Sequence, residues 1–191
     1  MARPSLVDRS QILDVARQLA WERGTGAVAI KEVALRLGRP SGSLYYRFPG
    51  RDHLLAEMWL EAVEHFQEGY ITALGSVDAV SAARAAASHV LKWSVDQPQR
   101  AHILLWFQRT DLLGDEWPTD IAARAGRTER RLAQAIDSLA ARLRISPRRL
   151  RMAIVEVPHA VVRRGLDRGG PTEEEIALVD EIVSALLSPK N

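Results

Sequence analysis

The segment Gly38-Arg39-Pro40-Ser41-Gly42-Ser43-Leu44-Tyr45-Tyr46-Arg47-Phe48-Pro49 constrains the fold of this chain more than any other stretch. It follows a short amphipathic run, Ile30 to Leu37, that stops at a glycine. A helix, a glycine-containing turn and a second short helix of small and hydroxylated residues form the pattern of a helix-turn-helix that reads DNA. A reading helix must lie close to a base stack, and Gly42 and Ser43 leave room for that approach. Ser41, Ser43, Tyr45 and Tyr46 carry hydroxyls that can reach phosphates and base edges. Leu44 and Phe48, four apart, share a face that can anchor the helix to its own domain. The alternative for so short a pattern is a helical hairpin with a polar tip and no nucleic acid.

The rest of the chain repeats at helical spacing, and no segment alternates convincingly as a strand. Ile12, Val15, Ala16, Leu19 and Ala20 form a first stripe, capped by Asp8 or Ser5 and ended by Gly24 and Gly26. Ile30, Val33, Ala34 and Leu37 form a second, and the reading helix is predicted from about Pro40 to Arg47. After the Pro49-Gly50 break a long helix restarts at Arg51 or Asp52, with Leu54, Leu55, Met58, Trp59, Ala62, Val63 and Phe66 on its apolar face. Further helices are expected from Asp78 to Val95, from Arg100 to Leu113 and from about Thr119 to Leu143. Ser146-Pro147 starts another, which Pro158 should kink. Thr172 and Glu175 make a capping box for the last. The expectation is an all-α chain of about nine helices. A three-helix unit that carries the helix-turn-helix pattern over residues 1–50 precedes a larger helical domain over residues 51–191.

Composition narrows the function. There is no cysteine among the 191 residues, which rules out disulfides and thiolate metal sites and fits a reducing cytoplasm. No apolar run approaches the ~20 residues of a membrane span, so no membrane role is expected. The formal charge is only +2, but residues 1–55 hold nine Lys and Arg against five Asp and Glu. Residues 124–168 hold twelve against four. Positive charge on the first segment favours a polyanion. The second cluster reads equally as a solvated helix face.

With the motif third in a run of helices, the chain resembles the TetR family of transcriptional regulators. The resemblance is densest from Ile12 to Leu55: a helix ending in glycine, Ile30-Lys31-Glu32-Val33-Ala34, Leu37-Gly38, Ser41 to Phe48, and Arg51-Asp52-His53-Leu54-Leu55. It implies a homodimer that grips double-stranded operator DNA with two helix-turn-helix units. It also implies a small-molecule effector in the C-terminal domain and dimer contacts through the last two helices. By position, Tyr45 matches the family's phosphate-contacting tyrosine. Arg51 stands where lysine is usual, Arg47 where histidine is common, and Ala29 where a threonine usually caps the second helix.

The candidate DNA contacts are therefore Lys31, Arg39, Pro40, Ser41, Gly42, Ser43, Tyr45, Tyr46, Arg47 and Arg51. His89, Trp93, His102, Trp106, Phe107 and Trp117 could line an apolar cavity with a few orienting groups, suited to a hydrophobic or aromatic effector. Plain core packing is the alternative for each. Val157, Val161, Ile176, Val179, Ile182, Val183 and Leu186 stripe the last two helices and, paired with a symmetry mate, would close a four-helix bundle. In a monomer the same stripes are core. No catalytic arrangement, metal-ligand spacing or cofactor motif is expected, since His89, His102 and His159 are too scattered. The leading reading is a ligand-responsive regulator, a repressor. Its rivals are a DNA-binding protein without sequence preference, using the arginine-rich region, and a helical enzyme.

Overall fold

The structure is a computed structural model that describes residues 8–106 and 117–187, with the side chains of Trp106 and Asp167 outside the description. Among the described residues every regular element is helical. Contacts divide the chain into two compact units. The first comprises Met1–Ala62 with His102–Arg124, and the second Val63–Ala101 with Ala125–Asn191. The division thus falls within a long helix, not at residue 50, because the apolar residues that open that helix belong to the first core.

In the first unit, α1 spans Arg9–Arg23, with the Gln11 side chain accepting from the Asp8 N–H at 3.3 Å and Gly24 ending it at φ 78°. A 3-10 turn, Thr25–Ala27, leads to α2, Ile30–Arg36. Ala29 precedes α2 and gives its first turn no side-chain cap. Gly38 then adopts φ +62°, a left-handed conformation that costs glycine little. Its N–H donates to the Leu35 carbonyl, and the Arg39 N–H to that of Ala34, both at 3.0 Å. This paired closure is a Schellman motif, and it turns the chain sharply out of α2.

Pro40 stands in extended conformation immediately before α3, Ser41–Tyr45. The helix is shorter than the predicted Pro40–Arg47 because Pro40 lies outside it and Phe48 precedes a proline, which disfavours helical backbone. Leu44 and Phe48 are both 0% exposed, packed with Ile12, Ala16, Leu19, Val33, Leu54 and Leu55 in one core. Helix α4, Arg51–Leu74, supplies Leu54, Leu55 and Met58 to this core and continues into the second unit. Two charged side chains are buried here. Arg17 ion-pairs with Asp14 and, at 2.7 Å, with Glu61. Glu57 pairs with Arg9 and, at 2.9 Å, with Arg124. Such pairs cost desolvation, so their shared hydrogen bonds matter more than charge alone.

In the second unit, α5 spans Ala79–Asp96 and is capped by Asp78, whose carboxylate accepts from the Ser81 N–H at 2.7 Å. Its buried face is largely alanine (Ala82, Ala83, Ala86, Ala87), so neighbouring helices can approach closely. Helix α6 is Pro98–Trp106, and the remainder of the predicted Arg100–Leu113 segment lies outside the described residues. Helix α7 runs Thr119–Leu143. Near its end, Arg142 donates to the carbonyls of Leu74, Ser76 and Val77, which satisfies the exposed end of α4.

Next come α8, Pro147–Arg151, a π-helical segment, Met152–Glu156, and α9, Val157–Gly165. The last helix, α10, is Glu173–Leu187, opened by the reciprocal Thr172–Glu175 capping box.

The π-segment has a specific cause. Pro158 has no N–H, so it cannot donate to the carbonyl of Ile154 four residues earlier. Instead the chain widens ahead of the proline, and the Tyr70 hydroxyl donates to that carbonyl at 2.9 Å. Tyr70 is 1% exposed, and burial pushes its hydroxyl pKa well above the ordinary 10.0. A side chain from α4 therefore fills the gap that Pro158 leaves in the helix ladder.

Candidate nucleic-acid interface

The second helix of the motif divides its residues cleanly. Leu44 and Phe48 face inward, while Tyr45 is 43% and Tyr46 89% exposed. Lys31, Arg39, Pro40, Gly42 and Ser43 are also exposed, and Ser41, Arg47 and Arg51 are half-buried. An added Cβ at Gly42 would meet no heavy atom within 4 Å, so nothing in the fold demands a glycine there. A surface that must approach another molecule closely would.

Hydrogen bonding refines individual roles. The Ser43 hydroxyl donates to the Pro40 carbonyl at 2.7 Å. With its proton so directed, Ser43 presents only lone pairs outward. It is matched to an exocyclic amino group of adenine or cytosine, not to a phosphate, which also only accepts. Arg51 donates through Nε to the Val28 carbonyl at 3.0 Å and through NH2 to the Thr25 carbonyl at 2.9 Å. Its guanidinium thus holds the turn before α2, and its NH1 lies 3.7 Å from the Asp52 carboxylate, so little of it remains for a phosphate. Tyr45 and Tyr46 are exposed, as are the basic residues Lys31 on α2 and Arg39 in the turn. Arg9 lies 5.9 Å above the Phe48 ring and braces the back of the helix.

The residues expected around an effector divide between the units. His102 meets Trp21 edge-on at 5.1 Å and Trp117 meets Trp59 at 5.3 Å, all in the first unit. His89 and Trp93 lie in the second, around Phe66, with ring centroids 5.3 and 5.2 Å away. The Trp106 side chain and Phe107 lie outside the described residues. His89 donates from Nε2 to the Phe66 carbonyl at 3.0 Å, and burial lowers its pKa. A Cβ at Gly69 would sit 2.5 Å from the His89 ring, so that position is fixed as glycine by packing. Trp93 donates from Nε1 to His65 Nδ1 at 3.0 Å. His89 and Trp93 also border a cleft of about 470 Å³ with Ser88, Lys92 and Asp96.

Among the expected dimer residues, Val179 and Val183 are 1% and 0% exposed within the single chain. They are core residues, beyond reach of a second copy, because α10 packs its apolar stripe on α5. Val157, Val161, Ile176, Ile182 and Leu186 are only half-buried. Spacing identified the buried face but not which helix buries it. One grouping lacked any signal in sequence. His53, Glu57 and Asp120 bring potential ligand atoms within 4.8 Å of one another. Arg9 and Arg124 already neutralise Glu57 there, which opposes a cation.

The fold and its exposed α3 form a helix-turn-helix. Residues 12–58 match the family described as "Bacterial regulatory proteins, tetR family". Over 110 residues the chain is 26% identical to the HTH-type transcriptional regulator AcrR of Shigella flexneri, a match that spans 56% of this chain and about half, 51%, of that relative. A TetR-like transcriptional regulator from Rhodococcus sp. RHA1 superposes with a TM-score of 0.72 at 17% identity, covering 99% of this chain and all of that one. The regulator FadR from Bacillus subtilis, solved with stearoyl-CoA, gives 0.68 at 15% identity over 96% of this chain and all of that one. Residues 12–58 are thus those of the TetR family of bacterial regulatory proteins, and the chain as a whole shares the fold of its TetR-like structural neighbours.

Proposed function

We propose that the protein is a repressor that binds operator DNA as a homodimer and is released by a small hydrophobic or aromatic effector. The observation that carries this reading is the division of α3 and the turn after it: Leu44 and Phe48 are fully buried while Tyr45 and Tyr46 stand in solvent. Inserted in the major groove, such a helix presents Ser43 and Tyr46 to base edges. Tyr45, Lys31 and Arg39 then meet phosphates on either side. Ser41, Arg47 and Arg51 contribute at the margins of the contact.

The dimer reading rests on the half-buried Val157, Val161, Ile176, Ile182 and Leu186, joined by Met152 and Leu178, 40% and 53% exposed. Exposed Arg163 and Arg164 on α9 complement exposed Glu173, Glu174 and Glu181 on α10 across a two-fold axis. Light scattering at micromolar concentration tests it, and a 21.2 kDa species would exclude it. The effector reading rests on the aromatic cluster of Phe66, Tyr70, His89 and Trp93. The B. subtilis neighbour, which holds an acyl thioester, makes long-chain acyl compounds the first probes. Their release of bound DNA is the expected result.

Binding through the arginine-rich region fares less well. Arg124 holds Glu57, Arg142 caps α4, Arg149 donates to the Leu186 carbonyl at 2.6 Å, and Arg168 pairs with Glu175. Four of the twelve basic residues there are therefore engaged within the fold. A gel shift at fixed salt tests the main reading: Tyr45→Phe should weaken operator binding without loss of stability.

A further inference from the structure

Phe48 closes the reading motif. Its ring is fully buried and its N–H donates to the Leu44 carbonyl at 2.9 Å, so its place fixes the end from which Tyr45 and Tyr46 project. Two side chains approach that ring. The Arg9 guanidinium lies 5.9 Å from its centroid, and the His53 ring meets it at 70° with centroids 6.0 Å apart. A cation over a π-face and a perpendicular ring pair are both favourable contacts.

Both neighbours are held from one helix. Arg9 opens α1 with 43% of its side chain exposed, and its ion pair with Glu57 keeps it over the ring. Glu57 is buried, and a buried carboxylate is tolerated only when its oxygens are hydrogen-bonded. Arg124 on α7 supplies this, donating from NH1 to both Glu57 oxygens at 2.9 and 3.0 Å. Asp120, one turn earlier on α7, sets its carboxylate 3.7 Å from His53 Nε2. All of these residues belong to the first unit.

We infer that Asp120 and Arg124 are positioning residues for DNA reading. Asp120 acts through His53, and Arg124 through Glu57 and Arg9. Together they set where Phe48 lies, and hence where Ser43, Tyr45 and Tyr46 meet the duplex. Packed side chains and ion pairs carry such couplings. The inference rests on α3 as the reading element and adds the start of α7 to its support.

Electrostatics and positioning predict opposite results at Glu57. Glu57→Gln keeps the shape and removes one negative charge, which by itself favours any duplex. Positioning predicts that its preference for a duplex recovered by genome-wide binding, over a random one at the same salt, falls about fivefold or more. Arg124→Met should show the same loss, and Arg124→Lys, which keeps a cation beside Glu57, should recover part of it. Asp120 is 68% exposed, so Asp120→Asn should keep the thermal midpoint while lowering the preference less. Without DNA, amide exchange at residues 44–48 of Glu57→Gln should quicken while that of Ala82 to Val90 on α5 holds. Preference and exchange unchanged in these variants would overturn the inference, as would equal quickening in both units, which marks lost stability alone. A wild type without preference would defeat the reading of α3 itself, and the exchange result then decides the positioning by itself.

Discussion

Tyrosines at the two ends of α4 do opposite work. Before it, Tyr45 at the end of a five-residue helix and Tyr46 just after it project into solvent, held there by Leu44 and Phe48 beneath them. Towards its end, Tyr70 is buried and donates its proton to a carbonyl orphaned by a proline. The first unit keeps hydrogen-bonding capacity outside, available to a partner. The second uses it inside, to complete its own backbone. A substitution that removes a hydroxyl should therefore be read as lost binding in one unit and lost stability in the other.

The largest effect that tests this contrast is on the support of the reading helix. Phe48→Ala should destabilise by about 3–5 kcal/mol, visible as a lower thermal midpoint, with operator binding lost through unfolding of the head. Next, Tyr70→Phe leaves the Ile154 carbonyl buried without a donor and should cost about 1–3 kcal/mol in denaturant titration. Equal stability of that variant would mean that water replaces the hydroxyl. Tyr45→Phe should alter stability by no more than about 0.5 kcal/mol, yet reduce operator affinity about fivefold, the worth of one hydrogen bond near 1 kcal/mol.

Gly42→Ala separates the two currencies most sharply. Alanine in a helix is favoured over glycine by roughly 0.5–1 kcal/mol, and the fold has space for its methyl. The thermal midpoint should rise while DNA binding weakens. The smallest effect is on pH. Burial lowers the pKa of His89 from its ordinary 6.5, so above that value both folded and unfolded chains hold it neutral. As pH falls below 6.5, the unfolded chain takes up a proton that the folded one resists, and stability declines. His89→Gln should flatten that decline in a series of melting curves.

The head was legible because its determinants are local. Gly24, Gly38 and Pro40 set the helix ends, and Asp78, Ser146 and Thr172 announce later caps just as plainly. What escaped was long-range partnering. Pro158 signalled a kink, but nothing near it in sequence points to Tyr70, 84 residues away, as the group that completes the ladder. Arg51 read as a phosphate clamp because its two carbonyl acceptors lie 23 and 26 residues upstream. Val179 and Val183 had the spacing of an interface and of a core at once, and only the position of α5 decides between them. Aromatic side chains and a few orienting polar groups single out the effector candidates, but residue type does not bring side chains together across helices.

The central claim is that α3 reads a sequence. A competition titration at one salt concentration, with a duplex recovered by genome-wide binding set against a random duplex of the same length, tests it most directly. A preference of about 10³ or more for the recovered duplex is expected, much reduced in Tyr46→Ala and in Ser43→Ala. A ratio near one for the wild type would contradict it.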